Sequence, residues 1–172
     1  IYVDFEGTLA ACAELPDAFG RFSDFSDHAT WDARRTEYSE MSLQQQISYW
    51  EDRGGVYVEW RRIHTVAFAR PHAKTFLEAC DKIAPTEILT AGFTVLQGRL
   101  AARLFKLADK IKVVGKEFYS EVEKDPKNLL IDDLSTSDDG VQKKLYAIGS
   151  TRHLKIPTWN GLAQEDRALL DI

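Results

Sequence analysis

Three separate segments of this sequence end strand-like runs with side chains that could transfer a phosphoryl group. In the first, the apolar run at residues 1–5 contains Asp4 and is followed by Glu6, Gly7 and Thr8. A carboxylate at a strand end can attack phosphorus as a nucleophile, and an acid two residues later can exchange a proton with the leaving group. Gly7 lets the backbone turn tightly enough for N–H groups to face a phosphate. By itself, this segment is equally typical of a solvated acidic turn.

The second segment ends at Thr90, which follows the run at residues 87–89 and precedes Ala91 and Gly92. A hydroxyl beside exposed N–H groups at the start of a helix forms a good phosphate cradle. The other interpretation of Thr90 is an N-cap of the following helix, which needs no ligand.

The third segment carries Asp132 and Asp133 directly after the apolar residues 129–131. Burying two acids at a strand end is costly unless a cation or hydrogen-bond donors compensate, and Mg²⁺ prefers such oxygen ligands. The alternative is an exposed acidic turn that continues to residues 138–139. A phosphate site also needs a positive side chain. Spacing does not choose among four candidates: Lys112, Lys116, Lys124 and Lys127.

The pattern around these segments favours an α/β fold in which a mainly parallel sheet is covered by helices on both faces. We predict strands at residues 1–5, 87–90, 111–114, 128–131, 147–148 and 153–156, and helices at residues 70–83, 94–107 and 164–172. Pro71 suits the first turn of its helix, and Ile83 extends that helix's apolar stripe. Because ligands bind at the carboxyl ends of parallel strands, the three segments should converge.

Residues from about 11 to 66 differ in kind, and we predict that they form a cap inserted after the first strand of a single domain covering residues 1–172. The pattern indicates a loop from residue 19, a helix at 31–50, and one or two strands after residue 56 with a turn near Arg61-Arg62. Its aromatic and arginine side chains have two interpretations. They recognise a base, a phosphopeptide or another anion, or the tryptophans form a small core and the arginines are solvated.

Composition excludes several classes of protein. The chain has 172 residues, 44% of them hydrophobic, and a net charge of −5, which fits one globular domain and argues against strong non-specific binding to nucleic acid. No run approaches the ~20 apolar residues of a membrane helix. Two cysteines, Cys12 and Cys80, fit reduced thiols in a soluble cytoplasmic protein better than a disulfide framework. The histidines show no zinc-ligand spacing, and no phosphate-binding glycine motif of the nucleotide-binding kinds occurs.

Taken together, the Asp-x-Glu-Gly-Thr-Leu run at residues 4–9, the strand-ending Thr90, a lysine and the Asp132-Asp133 pair resemble the haloacid dehalogenase (HAD) superfamily of phosphohydrolases. The chain is most similar to the branch that contains RNA polymerase C-terminal-domain phosphatases and NLI-interacting-factor-like proteins. The similarity to that branch is carried by Val56-Tyr57-Val58, Arg70-Pro71, Glu87–Thr90, Ile156–Trp159, Asp166 and Leu169-Leu170.

The resemblance implies a HAD-like Rossmannoid three-layer fold and a role for each matching residue. Asp4 matches the nucleophile that forms an aspartyl-phosphate, and Glu6 takes the place of the general acid/base. Thr90, with the adjacent Ala91, matches the phosphate-binding hydroxyl, and Lys116, which lies 16 positions before Asp132, matches the phosphate-binding lysine.

The resemblance also implies a Mg²⁺ cofactor. Asp132 and Asp133 match the acidic pair that holds the ion directly or through water. Asp4 and the backbone carbonyl of Glu6 would complete the ligand set. The metal and Lys116 would then neutralise the phosphoryl oxygens.

Two departures from the family pattern stand out. The second acidic position is usually aspartate, and the extra methylene of Glu6 moves the carboxyl by roughly one bond length, where a ~1 Å misplacement can cost ~100-fold in rate. Thr90 also lies 86 positions after Asp4, farther than in compact members of the branch.

The expected function is therefore Mg²⁺-dependent hydrolysis of a phosphomonoester. The expected substrate is phosphoserine or phosphothreonine in a flexible peptide. The alternatives are a nucleotide or polynucleotide-end phosphatase, and a phosphate-binding module that turns over poorly because of Glu6.

Overall fold

The computed structural model describes residues 1–23, 27–107, 111–115, 125–133, 153–162 and 165–172. Lys116, Lys124 and the strand predicted at 147–148 lie outside the described residues. Within them, strands and helices follow in the order β1 (Tyr2–Asp4), β2 (Ala10–Glu14), α1 (Ala18–Phe22), α2 (His28–Glu40), α3 (Leu43–Glu51), β3 (Val56–Trp60), β4 (Ile63–Ala69), α4 (Ala73–Ile83), β5 (Glu87–Thr90), α5 (Thr94–Phe105), β6 (Lys112–Gly115), β7 (Leu130–Asp132) and β8 (His153–Lys155).

Among the described residues, the central sheet has five strands in the order β6-β5-β1-β7-β8, and every neighbouring pair is parallel. Val3 of β1 lies opposite Ile88 of β5 on one side and Ile131 of β7 on the other, and all three are buried. Such runs of apolar residues are typical of strands covered on both faces. The predicted α/β fold with a mainly parallel sheet is therefore confirmed.

A second sheet is antiparallel and has the order β2-β4-β3. Helix α5 contacts β6 of the central sheet as well as β3 and β4 of this smaller sheet. Its buried residues Leu96, Leu100 and Phe105 belong to the main hydrophobic core, together with Val3 and Leu77. Helix α5 therefore holds the two sheets together beside the end of β5.

Helices α1 to α3 pack on the smaller sheet through an aromatic cluster. The buried members include Phe19, Phe22, Tyr38 and Trp50, and the Trp50 indole N–H donates to the Tyr38 hydroxyl at 2.8 Å. Trp50 thus forms part of a small local core, as one of the two interpretations predicted. That residues 11–66 act as a cap stays a prediction.

The segment before β3 differs from the sequence prediction in three places. The helix predicted at 31–50 is two helices, because Met41 is extended and Ser42 starts α3 with a capping box to Gln45. The loop predicted from residue 19 contains α1, whose Phe19 and Phe22 are buried. Strand β2 was not predicted, since its small side chains show no alternation.

Three further predictions about helices were wrong. Helix α4 begins at Ala73 rather than at Arg70-Pro71, because His72 takes a left-handed conformation with φ 65° just before it. Ile83, at the end of α4, is 80% exposed and does not extend the apolar stripe. Instead of a closing helix at 164–172, the described residues 165–172 form turns. Among the described helices, none combines the length and apolarity that crossing a membrane requires.

Candidate functional site

A cluster of three carboxylates lies where β1 and β7 end. Asp4 is the last residue of β1, Asp132 is the last residue of β7, and Asp133 follows it. One carboxylate oxygen from each residue lies within 4.8 Å of those of the other two. Asp132 and Asp133 are buried and Asp4 is partly buried. Because β1 and β7 are adjacent parallel strands, their carboxyl ends bring the three side chains together.

The electrostatics of this cluster favour a cation. Burial raises the pKa of Asp4 well above its usual value of 3.8, and the negative charges of Asp132 and Asp133 raise it further. A hard divalent ion with oxygen ligands would relieve the same repulsion that raises this pKa. The three carboxylates therefore fit a metal such as Mg²⁺, by donor type and by their mutual distances.

Gly7 brings the loop after β1 against Asp133. Its φ of 87° is a left-handed conformation, and a Cβ at this position would lie 2.5 Å from Oδ2 of Asp133. Its N–H donates to the carbonyl of Ala10 at 2.8 Å, and its carbonyl accepts from the N–H of Trp159 at 2.8 Å. Only glycine fits here without displacing the Asp133 carboxylate.

Arg70 also holds this loop. It follows the end of β4, and its side chain is fully buried. Its Nη1 donates to the carbonyls of Gly7 and Thr8 at 3.3 and 3.2 Å. Its Nε and Nη2 donate to Oδ1 and Oδ2 of Asp166 at 3.0 and 2.9 Å. The sequence showed Arg70 and Asp166 only as motif positions. The signal for a buried role was an arginine directly after the apolar residues of β4.

The pKa of Asp166 reflects this bidentate pair. Burial raises it, but hydrogen bonds from Arg70 and from the N–H of Ala168, together with the charge of Arg70, outweigh burial and lower the pKa below 3.8. Asp166 therefore remains a carboxylate in the folded protein.

Thr90 ends β5, the strand on the other side of β1, so it lies at the same sheet edge as Asp4. The Thr90 side chain is buried, donates to Oε1 of Gln97 and accepts from the N–H of Gly92 at 3.0 Å. Ala91 is exposed. Sequence reasoning missed Gln97, although a polar residue between Leu96 and Leu100 on the buried side of α5 was a visible signal.

Glu6 is not one of the clustered carboxylates. Its Oε1 lies 2.9 Å from Nη2 of Arg21 in α1, and the two side chains are 42% and 41% exposed. Both residues line a cavity of about 280 Å³ between the smaller sheet and α5, which Thr65, Gly92 and Gln97 also line. No pattern in the sequence indicates this partner for Glu6.

Of the four candidate lysines, two lie in described residues. Lys112 begins β6 and Lys127 precedes β7. Because the strands are parallel, the start of a strand lies at the edge opposite to Asp4 and Thr90, so neither lysine reaches this site. Lys116, the position that the resemblance selects, comes directly after β6 in the sequence and lies outside the described residues.

Comparison with known proteins finds matches only among solved structures: no family model and no curated protein matches this chain. One match is Fcp1, an essential RNA polymerase II CTD phosphatase, with a TM-score of 0.53, 11% identity, and coverage of 92% of this chain and 41% of that one. The chain shares the overall fold of this Fcp1 structure.

A second solved structure extends that result. A variant of the fission yeast RNA polymerase II CTD phosphatase Fcp1, bound to beryllium fluoride, matches with a TM-score of 0.50, 11% identity, and coverage of 99% of this chain and 47% of that one. The chain therefore spans less than half the length of the Fcp1 chains that it matches. At this identity the likeness shows the fold alone.

Proposed function

We propose that this chain is a Mg²⁺-dependent phosphomonoester hydrolase that acts through an aspartyl-phosphate on Asp4. The observation that carries the proposal is the meeting of Asp4, Asp132 and Asp133 within 4.8 Å at the carboxyl ends of β1 and β7. Thr90 ends the neighbouring strand at the same edge. A nucleophile, a candidate metal site and a phosphate-binding hydroxyl together suit phosphoryl transfer.

The proposed chemistry uses Asp4 as the nucleophile and Glu6 first as the acid and then as the base. A carboxylate oxygen of Asp4 attacks phosphorus while the bond from phosphorus to the leaving oxygen breaks, and Glu6 donates a proton to that oxygen. Glu6 then takes a proton from water, and the resulting hydroxide attacks the phosphorus of the aspartyl-phosphate. Inorganic phosphate leaves and Asp4 is regenerated. The N–H of Ala91 orients the phosphoryl oxygens, as does Lys116 by resemblance. The Thr90 hydroxyl does so once it turns its proton from Gln97 to the phosphate.

Asp4, Asp132, Asp133 and the backbone carbonyl of Glu6 would hold the ion. When bound, Mg²⁺ supplies positive charge that stabilises the phosphoryl oxygens as the reaction proceeds. Gly7 and Arg70 keep the Glu6 segment against Asp133, so this chain's own packing prepares the ligand set.

The proposed substrate is phosphoserine or phosphothreonine in a flexible peptide. Its support is the fold shared with Fcp1, which is a phosphatase of the RNA polymerase II CTD. The cytoplasmic location expected from the sequence remains part of the proposal. The experiment that selects the substrate is a panel of phosphopeptides, nucleotides and 5′- or 3′-phosphorylated oligonucleotides. Selective turnover of a nucleic-acid phosphate would replace the peptide substrate.

The test of the mechanism is Asp4→Asn, which keeps the side-chain shape and removes the attacking charge. Turnover of an aryl phosphate with Mg²⁺ should fall by about three or more orders of magnitude, as when other enzymes lose their nucleophile. EDTA should abolish the parent's activity. Asp32→Asn, on the exposed surface of α2, is the matched control and should keep parent rates.

Activity of Asp4→Asn within about tenfold of the parent would remove Asp4 from the nucleophilic role. A second candidate function, a phosphate-binding module, is favoured by one observation: Glu6 pairs with Arg21 rather than joining the acidic cluster. A parent that binds phosphate analogues but turns over no phosphomonoester would support that candidate.

A further inference from the structure

The ion pair between Arg21 and Glu6 joins the loop after β1 to the first helix of the predicted cap. Arg21 lies in α1 between residues that the aromatic cluster fixes in place. The Phe22 ring lies 5.7 Å from the Trp50 ring and 5.0 Å from the Phe68 ring, measured between centroids. Phe19 is also buried. The backbone of Arg21 is therefore held firmly, and its guanidinium is presented to Glu6 from a defined position.

The backbone of Glu6 is equally well defined. Glu6 forms a β-bridge with Ala10, and the next residue, Gly7, donates its N–H to the Ala10 carbonyl at 2.8 Å. The side chain, in contrast, has three rotatable bonds and is 42% exposed. Without a partner, its carboxylate would occupy several rotamers. The contact with Arg21 at 2.9 Å selects one of them.

This pair contributes little to stability, because exposed ion pairs are weak in water. Its position gives it another role. Arg21 and Glu6 line the same cavity as Gly92 and Gln97, and Gln97 accepts the hydrogen bond of Thr90. The carboxylate that Arg21 holds therefore lies at the wall of the cavity that adjoins the phosphate-binding end of β5.

We propose that Arg21 is a positioning residue for the acid/base carboxylate of Glu6. The inference rests on the proposed function. The inference also accounts for glutamate in place of the usual aspartate. The longer side chain of Glu6 reaches Arg21 on α1, and this contact fixes the carboxylate that the extra rotatable bond would otherwise leave in several rotamers. Arg21 acts through Glu6 and takes no part in proton transfer.

The decisive experiment is a double-mutant cycle on the purified chain with Mg²⁺, using free phosphoserine and an aryl phosphate as substrates. Arg21→Ala should lower kcat about tenfold, less than the ~10²–10⁴ that a general acid–base group contributes, and should change KM by less than about twofold. Arg21→Lys, which keeps the charge, should recover part of the loss. In a Glu6→Gln background, Arg21→Ala should have no further effect, since the two residues act as one unit.

The matched control is Arg34→Ala. Arg34 forms an ion pair with Glu37 on α2 at the same 2.9 Å distance, and the two side chains are 58% and 59% exposed. It should leave kcat unchanged, and its melting temperature should match that of Arg21→Ala. If Arg21→Ala does not fold, Arg21→Lys and Arg21→Gln in the two Glu6 backgrounds provide the same cycle.

Two results would overturn the inference alone. Equal, additive losses from Arg21→Ala in both Glu6 backgrounds would mean that Arg21 does not act through Glu6. A raised KM with unchanged kcat would make Arg21 a substrate-binding residue. A parent that is inactive toward every phosphomonoester, or an Asp4→Asn variant that retains activity, would instead overturn the proposed function on which the inference rests.

Discussion

Gly7 shows how closely a single backbone position is tied to the candidate site. Its left-handed φ and its contact with Asp133 are separate demands, and each excludes other residue types. The conformational demand is shared with Gly54, whose φ is 84° but which has nothing within 4 Å of its would-be Cβ. The two glycines therefore allow the effect of backbone strain to be separated from the effect of displacing a carboxylate.

Gly7→Ala should abolish Mg²⁺-dependent activity and weaken Mg²⁺ binding, because the added methyl group would push the Asp133 carboxylate away from Asp4 and Asp132. Gly54→Ala should lose only about 1 kcal/mol of stability, the cost of a strained backbone, and should keep the parent's activity. Activity assays and thermal melts with and without Mg²⁺ make the comparison. Equal activity of the two alanine variants would show that Asp133 tolerates the displacement.

The acidic residues of the site could be predicted from the sequence, because Asp4 and Asp132 end apolar runs and parallel strands bring such ends together. The partners of the site residues could not. Arg21 meets Glu6 only because the aromatic cluster places α1 beside the first loop, and no local pattern encodes that packing. The pattern of α5 places Gln97 as a polar residue on a buried helix face. Its contact with Thr90, however, depends on the turn that joins β5 to α5.

At the scale of elements, the pair Arg70–Asp166 ties the segment after β8 to the loop after β1. Arg70 is buried and charged, so it is stable in the core only while Asp166 and the carbonyls of Gly7 and Thr8 accept its hydrogen bonds. The lowered pKa of Asp166 has a consequence for acid stability. A carboxyl whose folded pKa is depressed stabilises the fold above its unfolded pKa, and that stabilisation is lost as pH falls through the folded value.

Asp166→Ala should therefore lower the free energy of unfolding at pH 7 by about 3–5 kcal/mol, the usual cost of leaving one partner of a buried pair without the other. The parent loses stability below about pH 3.8, where unfolded aspartate becomes protonated, and the variant should lose less because it lacks this carboxyl. Urea denaturation between pH 2.5 and 7 measures both effects. Arg34→Ala breaks an exposed pair and should cost at most about 1 kcal/mol. A comparable loss in the two variants would show that Asp166 does not compensate Arg70.

Element boundaries were predictable where a local chemical signal existed. The turn between β3 and β4 falls at Arg61, as the sequence predicted, and the structure shows that Arg61 takes a positive φ there. The break between α2 and α3 is also encoded, by Ser42 and Gln45 as a capping box, but the helical pattern continues on both sides of it and hides the break. The start of α4 is not encoded locally, since it depends on the positive φ of His72, and no pattern in the sequence marks that conformation.

At the scale of the whole molecule, the parallel sheet followed from alternating strands and helices, whereas the order of its strands did not. β1 lies at the centre because β5 and β7 pair on either side of it, and such non-local pairing leaves no mark in a window of sequence. This order concentrates negative charge at one edge of the sheet. The stability of the whole chain should therefore depend on pH and on divalent metal through the same acidic cluster, Asp4, Asp132 and Asp133.

The direction of the pH dependence follows from the raised pKa of Asp4. A carboxyl whose folded pKa is raised costs no stability below its unfolded pKa, near 3.8, and destabilises the fold increasingly as pH rises toward the folded value. In EDTA at pH 7, Asp4→Asn should thus melt at a higher temperature than the parent, by roughly 2–4 °C for each kcal/mol gained in a chain of this size. The difference should shrink toward pH 4.

Saturating Mg²⁺ should reverse that order, because the ion binds the folded parent and stabilises it by mass action, while Asp4→Asn lacks one ligand and gains less. Melting temperatures across pH 4–8, with EDTA and with a Mg²⁺ titration, test both halves. The exposed Asp32→Asn is the control and should follow the parent in every condition. Two results would show that a bound cation does not stabilise the acidic cluster. One is a parent that melts above Asp4→Asn in EDTA at pH 7, and the other is a parent whose melting temperature does not change with Mg²⁺.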